Sequence, residues 1–323
     1  MKKEIKIFKT DGWIDYELLD TGEGEKLERL GKYFFVRPYE DAVWGKTLPK
    51  KVWEKIDGKF WSSQKGAKAG WKMSKTVFDK WEMSYKGIKF YAMPTPFRHF
   101  GFFPEQASHW DFIENKILAS QAKNFLKTAP SGTKGQGTHT FFENLSPAPR
   151  LKFLNLFGYT GVASLFALHA GAEVTHLDAS KASLQWLKEN QKLSGLDKMP
   201  MRIILDDALK FIEREAKRGN KYDAIIMDPP KFGRGPKGEV WKIEEKLLEL
   251  LNGVKKILSS NPLFVILTSY ATDSSALSLS YALEDAMKSF NGKVEVGELC
   301  VLEKSNNRNI SLANTAVWST LEK

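Results

Sequence analysis

The sequence predicts a doubly wound α/β fold, a Rossmann-like sheet of seven strands with helices on both faces, preceded by a small β-rich domain. Three observations carry this expectation. Apolar strand-like runs alternate five times with helical patterns between residues 151 and 290, then close on two long strand patterns at 294–302 and 310–320; such alternation builds a mostly parallel sheet. The first run, 151–157, is apolar along nearly its whole length, as in a strand covered on both faces, and it breaks at a glycine turn that opens a helix. Acidic residues then stand at the ends of successive strands, where ligands sit in open α/β sheets.

Taken in order, residues 1–100 are set apart by charge. They carry 21 lysines and arginines against 14 acidic residues, whereas 101–323 carry 28 against 25, in a chain of net charge +10. Short strands are expected at 33–36 and 88–92, with turn glycines at 22, 24, 45, 58 and 87. Between residues 46 and 89 lie twelve lysines, four acidic residues and no arginine, and Trp44, Trp53, Trp61, Trp71 and Trp81 recur from just before that stretch to near its end. Lysines neutralise phosphates and aromatic faces stack on unpaired bases, which suits RNA. Tryptophans forming the core of a small domain with a solvated lysine face explain most of the same pattern, and carry slightly more weight.

A proline-rich boundary at 94–104 leads to a helix expected from Pro104 to about residue 127, with Trp110, Ile113 and Ile117 on one face and Gln106 at its start, within reach of a ligand. Residues 128–150, rich in Gly, Ser, Pro and Thr, are expected to form a mobile connection. After the strand 151–157 come a short helix, 162–170, closed by Gly171, a strand at 173–178, and a helix at 181–193 with Ser180 as N-cap and Gly195 at its end. Strands at 201–205, 222–227 and 263–270 and helices at 208–218, 239–259 and 275–290 complete the alternation. The domains expected are therefore 1–100, small and basic, and 101–323, the doubly wound sheet.

Composition removes several classes. One cysteine, Cys300, allows no internal disulfide, and five histidines at 99, 109, 139, 169 and 176 lack metal-ligand spacing. No G-x-S-x-G elbow or G-K-[ST] loop occurs. The N-terminus lacks the apolar centre of a signal peptide and no window is apolar enough to cross a bilayer, so a cytoplasmic protein with neither membrane nor metal is expected.

The site residues follow from the strand ends. Gly158 and Gly161 leave backbone N–H groups uncovered at a helix N-terminus, a seat for an anionic or carboxylate-bearing cofactor. Asp178, twenty positions after Gly158, can accept hydrogen bonds from both hydroxyls of a ribose, and Asp207, with less weight Asp206, can accept one from an adenine amino group. A nicotinamide cofactor is disfavoured, since only half of G-x-G-x-x-G is present. Asp228-Pro229-Pro230 places a carboxylate and stiffened backbone carbonyls in a row of acceptors, fit to hold a planar amine with its nitrogen lone pair toward an electrophilic methyl group.

The stretches N-L-F-G-Y-T-G-V-A-S, V-T-H-L-D-A-S and D-P-P-K-F-G-R-G-P-K-G-E-V-W make residues 101–320 resemble the class I S-adenosylmethionine-dependent methyltransferases, in their branch that modifies bacterial large-subunit ribosomal RNA. The resemblance implies S-adenosylmethionine as cofactor and a nucleobase of RNA, ribosomal above all, as acceptor; DNA, protein, or a non-catalytic nucleic-acid-binding role stay open as alternatives. It implies that Asn155, Phe157, Gly158, Tyr159, Thr160 and Gly161 line the methionine end, and that Asp178 with Ser180 holds the ribose. Asp206 and Asp207 would face the adenine, and Gln106 and Asp228 would border the cofactor. Asp228, Pro229 and Pro230 would face the target base with Phe232 stacking on it, and Lys231, Arg234 and Lys237 would contact phosphate. Relatives that methylate cytosine at carbon five use a cysteine nucleophile. Here the fifth strand ends Thr268-Ser269-Tyr270, which points to a nitrogen or ribose oxygen instead.

Overall fold

The computed structural model describes residues 3–61, 69–128, 150–270 and 274–321, so the connection expected at 128–150 falls, apart from its two end residues, outside the described residues, as does His139. In chain order the elements are β1 (Ile5–Phe8), β2 (Tyr16–Gly22), β3 (Glu25–Leu30), β4 (Tyr33–Pro38), α1 (Lys50–Glu54), β5 (Gly58–Trp61), β6 (Gly70–Met73), β7 (Trp81–Tyr85) and β8 (Ile88–Ala92). A 3-10 turn at Pro104–Gln106 leads into α2 (Ala107–Thr128). There follow β9 (Lys152–Leu156), α3 (Val162–His169), β10 (Glu173–Asp178), α4 (Lys181–Leu193), β11 (Met201–Leu205), α5 (Ala208–Lys217), β12 (Ala224–Met227), β13 (Phe232–Arg234), β14 (Val240–Lys242) and α6 (Ile243–Ile257). The chain closes with β15 (Phe264–Ser269), α7 (Ala276–Met287), β16 (Gly292–Leu302) and β17 (Asn309–Thr320).

All seven expected strands of the large sheet are present, in the order β16-β17-β15-β12-β9-β10-β11. An eighth, β1, extends the sheet: it pairs in parallel with β16, so the closing pair is not the edge that the sequence suggested. Only β17 runs against its neighbours, β15 and β16. Strand β12 is four residues of fully buried Ala-Ile-Ile-Met, and β15 is buried throughout, as parallel strands covered on both faces must be. The helix expected at 239–259 begins later, at Ile243, because Phe232–Arg234 and Val240–Lys242 pair as a hairpin. Trp241, buried among its apolar neighbours, fixes that hairpin by donating its indole N–H to the carbonyl of Pro230 at 2.7 Å.

The N-terminal part forms a five-stranded sheet, β2 to β6, and a separate hairpin, β7–β8. Of the five tryptophans from residue 44 to residue 81, four serve the core or its margin. Trp53 and Trp81 are buried, and Trp44 and Trp71 are half-buried with indole N–H groups bonded to Thr21 and to the carbonyl of Thr95; Trp61 is exposed. This part is not tethered loosely. Trp13 meets the rings of Tyr16, Tyr85, Phe90, Phe102 and Trp110, and the same apolar cluster includes Phe166 of α3 and Leu187 of α4. The tip beyond β16 docks on β2: Lys304 and Ser305 donate backbone N–H groups to Leu18 and Leu19, and the Ser305 hydroxyl reaches buried Asp20 at 2.6 Å.

The continuous cluster predicts one cooperative unfolding transition, with tryptophan fluorescence and far-ultraviolet circular dichroism coincident in urea. Trp13→Ala should lower stability by about 3–5 kcal/mol without splitting the transition; two separated transitions in the wild type would contradict the reading.

Candidate active site

Register brings the predicted residues to one level. Leu156 lies between Leu177 on one side and Met227 on the other, so the turn after β9 is flanked one residue further on by Asp178 and Asp228. The turn itself depends on two missing side chains. A Cβ at Gly158 would come within 2.2 Å of the His176 ring, and one at Gly161 within 2.0 Å of Leu187. Gly161 also has φ +85°, which a side chain would strain. Phe157 and Tyr159 adopt left-handed φ values of 58° and 53°, uncommon for such residues and characteristic of functional turns. Helix α3 starts at Gly161 without any side-chain cap, so its first N–H groups face the cleft.

Around the turn the polar side chains are held rather than loose. Asp178 accepts the N–H of Tyr159 on Oδ2 and that of Ser180 on Oδ1, both at 2.8 Å, which leaves a further lone pair on each oxygen for hydroxyl donors. Burial pushes its carboxyl up despite those bonds. Ser180 caps α4, accepting the N–H of Ser183 on its hydroxyl. Asn155 donates to Ser164, the Thr160 hydroxyl donates to the carbonyl of Gly101, and Asn190 donates to the carbonyl of Thr160 at 3.0 Å. Gly101, Phe103, Gln106, Asn155, Phe157 and the 158–161 turn line one cleft with Asp228. Its enclosed part measures about 60 Å³, so a nucleoside-bearing ligand would continue out of it along the strand ends.

Two expected roles are modified. Asp207 is the N-cap of α5, with Oδ1 accepting the N–H of Lys210 at 3.0 Å, so one of its oxygens is engaged; Asp206 has both engaged, Oδ1 by the N–H of Asp207 at 2.9 Å and Oδ2 by the Arg214 guanidinium. The Pro230 carbonyl already accepts the indole N–H of Trp241, and the Lys231 carbonyl the N–H of Ile243, so each has one lone pair engaged. Asp228 Oδ1 and the Pro229 carbonyl are the less engaged acceptors of the row. Phe232 is exposed on β13, and Lys231, Arg234 and Lys237 are exposed around the same hairpin.

Asp228 is the most unusual group. It is half-buried at the cleft beside Gln106, Glu105 and Tyr270, and although Gln106 Nε2 donates to its Oδ2 at 3.3 Å, its buried Oδ1 has no hydrogen-bond partner among the described residues. An unpaired buried acceptor is costly, as expected of an atom reserved for a ligand. Burial, reinforced by the nearby Glu105 carboxylate, pushes the Asp228 carboxyl up to about 8. Gln106 is itself aimed by His109, whose Nδ1 meets its Oε1 at 2.8 Å, and it also donates to the Tyr270 hydroxyl at 3.1 Å. Sequence reading passed over Phe103, Glu105 and Tyr270 as site residues. The F-F-P-E-Q stretch held the first two, but only the chain crossing from residue 105 to residue 270 makes them one site. Among the described residues no group of three His, Cys, Asp or Glu side chains could hold a metal ion, and no helix is long and apolar enough to cross a membrane.

Parallel strands, a capless glycine turn, a ribose-level carboxylate and an orphaned acceptor beside two prolines define the class I S-adenosylmethionine-dependent methyltransferase site. The chain belongs to the family described as Conserved hypothetical protein 95, whose model matches residues 118–279, half of its length. It is 38% identical to the S-adenosylmethionine-dependent methyltransferase from Agrobacterium tumefaciens, covering 99% of this chain and 97% of that one at a TM-score of 0.84. It is 32% identical over 142 residues to ribosomal RNA large subunit methyltransferase K of Neisseria meningitidis, 42% of this chain and 40% of that relative. Likewise it matches 15% of the length of the K/L enzyme of Shewanella frigidimarina, at 39% identity over 110 residues. The chain thus spans less than half of these ribosomal RNA methyltransferases.

The raised Asp228 carboxyl gives a pH signature. A free aspartate ionises near 4, so the stability linked to the neutral buried carboxyl is complete below pH 4 and is lost as pH rises to about 8. Asp228→Asn should match the wild type near pH 4 and exceed it by on the order of a few kcal/mol at pH 8. Urea unfolding across that range reads the difference, and a constant gap would refute the assignment.

Proposed function

We propose that the protein transfers a methyl group from S-adenosylmethionine to a nucleobase of RNA, ribosomal RNA being the favoured substrate. The observation that carries this reading is the orphaned Oδ1 of Asp228 beside Pro229 at the cofactor cleft. S-adenosylmethionine supplies a sulfonium-activated methyl group. The 158–161 turn and the α3 N-terminus would hold its methionine end, Asp178 with the Ser180 segment its ribose, and Asp207, through the oxygen not used in capping α5, its adenine side.

The chain's own part in the reaction is placement. Asp228 Oδ1 and the Pro229 carbonyl accept hydrogens of an amino nitrogen, which turns its lone pair toward the methyl donor. The carboxylate form of Asp228 can then take the proton that the nitrogen sheds, a role suited to a carboxyl raised to about 8. Carbon methylation through a thiol adduct finds no support: the only cysteine in the chain is Cys300, buried in β16, its thiol pushed up to about 11. Exposed Phe232 is suited to stack on a base, and Lys231, Arg234 and Lys237 to meet phosphates. Residues 1–100, with their excess of lysine, would add to RNA affinity, and 101–323 carry the transfer.

Purified protein with labelled S-adenosylmethionine and either deproteinised RNA or ribosomal particles should yield one labelled nucleoside by mass spectrometry. Asp228→Ala should keep cofactor binding and lose about 10²-fold or more in transfer. An active Asp228→Ala enzyme would sink the assigned role, and label in DNA or protein alone would sink RNA as the acceptor.

A further inference from the structure

Beside the cofactor cleft lies a second, larger cavity of about 390 Å³, between the N-terminal sheet and the catalytic sheet. One wall is built by Lys26, Arg37 and Tyr39 from β3, β4 and the residue after β4. The facing wall comes from Phe103, Glu105 and Tyr270, and the first part of β17, residues 311–314, closes it. Phe103 borders both cavities, and its ring lies 5.1 Å from that of Tyr270 and 5.9 Å from that of Tyr159 in the cofactor turn. The Tyr270 hydroxyl shares Gln106 with Asp228. The chamber therefore adjoins the cofactor cleft at Phe103, and one glutamine ties its Tyr270 to Asp228.

We propose that this chamber receives the acceptor nucleotide, swung out of its RNA strand, and that the N-terminal domain is half of the acceptor site rather than a tethered affinity module. This rests on the reading of the protein as an RNA methyltransferase and names where its substrate is held. Four observations support it. Its volume is that of a pocket for a ligand of nucleotide size, roughly 300–1,000 Å³. Its lining offers aromatic faces for a base, from Phe103, Tyr39 and Tyr270, as enzymes acting on extruded bases require. Inside stand polar groups that can read a base edge. Lys26 is a donor ion-paired with Glu28 at 3.2 Å, with further ammonium hydrogens to offer, and Glu105, its carboxyl raised by burial, can donate from its protonated form or accept from its ionised one. His99, its imidazole kept neutral by burial and by Arg37, carries one donor and one acceptor.

The fourth observation concerns the mouth. Arg98 lines it in a left-handed conformation, φ 40°, and is held there by Arg37, whose Nη1 donates to the Arg98 carbonyl at 2.8 Å. Arg37 is in turn fixed by two bonds to buried Glu28, at 2.6 and 2.7 Å. This spends a strained backbone to hold one guanidinium at the rim, where it is ion-paired with exposed Glu40 at 3.3 Å. An exposed pair of that kind exchanges readily for a phosphate. Phe97 and Val43, in the segments that form the rim, are both highly exposed apolar side chains, suited to lie against neighbouring nucleotides.

The test uses Asp41→Cys, an exposed position on the rim, in the full-length protein. Buried Cys300 leaves the new thiol as the reactive one. Single-stranded ribosomal RNA fragments should slow its labelling by a bulky maleimide at least several-fold, whether or not methyl transfer occurs. The labelled protein should lose most methylation relative to its own unlabelled form while binding S-adenosylhomocysteine as before. Arg98→Ala should raise the KM for RNA about tenfold with little change in kcat, and Arg98→Lys should restore part of it. Methylation by the wild type, combined with no protection and full activity after labelling, would overturn the chamber and leave the methyltransferase reading intact. Protection by RNA without any transfer would keep the chamber and overturn the methylation reading; protection by single-stranded DNA but not RNA would overturn the RNA assignment.

Discussion

Everything at the carboxyl edge of the large sheet depends on how closely β9, its turn and α3 can approach β10 and α4. With no Cβ at residues 158 and 161, the turn lies directly on His176 and Leu187, and the backbone can pass through the left-handed conformations of Phe157, Tyr159 and Gly161. That close approach brings the Tyr159 N–H onto Asp178 and leaves the start of α3 uncapped. The strain in two non-glycine residues is stabilised by hydrogen bonds at both ends of the turn, from Gly158 N–H to the Leu177 carbonyl and from Gly161 N–H to the Gly158 carbonyl. A binding surface made of main chain is thus preformed, at a conformational cost borne by the folded scaffold.

The second constraint is electrostatic. Burying Asp228, Glu105, Lys26, Arg37 and Glu28 within one region is unfavourable unless each charge finds partners. Glu28 resolves most of this: it accepts from Tyr16, Arg37 and Lys26, and its carboxyl is held down to about 2, chiefly by the two cations against the opposing effect of burial. Among the described residues neither Asp228 nor Glu105 has a cation bonded to it, and both carboxyls rise. Lys26 and Arg37 of the N-terminal ion cluster thus share one cavity with Glu105, while Asp228, with its unpaired oxygen, stands at the adjoining cofactor cleft. Catalytic sites are where such imbalance persists, because a ligand completes it.

The joint between the two parts of the chain follows from the same arrangement. The aromatic cluster around Trp13, the docking of residues 303–305 on β2 and the addition of β1 to the large sheet all tie residues 3–92 to the catalytic sheet. None of these contacts is local in sequence. They make the N-terminal sheet a rigid wall of the site, which is what a pocket must have if it is to hold a base in one orientation.

By itself the sequence determined the doubly wound sheet and most of its site, because those signals are local. A buried parallel strand reads as an apolar run, a helix start as Ser180 or Pro104, and a tight approach as Gly158 and Gly161; the strand-end positions of Asp178 and Asp228 then follow from the fold. It did not show β2, β3 or β5, whose patterns include Asp20, Thr21, Lys26 and Glu28. Buried polar residues like these mimic a solvated stretch until partners far along the chain, such as Arg37, Trp53 and Ser305, neutralise or bond them. Tertiary structure alone decided that Trp241 takes the Pro230 carbonyl, that Gln106 joins Tyr270 to Asp228, and that Asp228 keeps one oxygen unpaired. These outcomes turn on where side chains 11, 122 and 164 residues from their partners come to rest, which no periodicity or motif encodes.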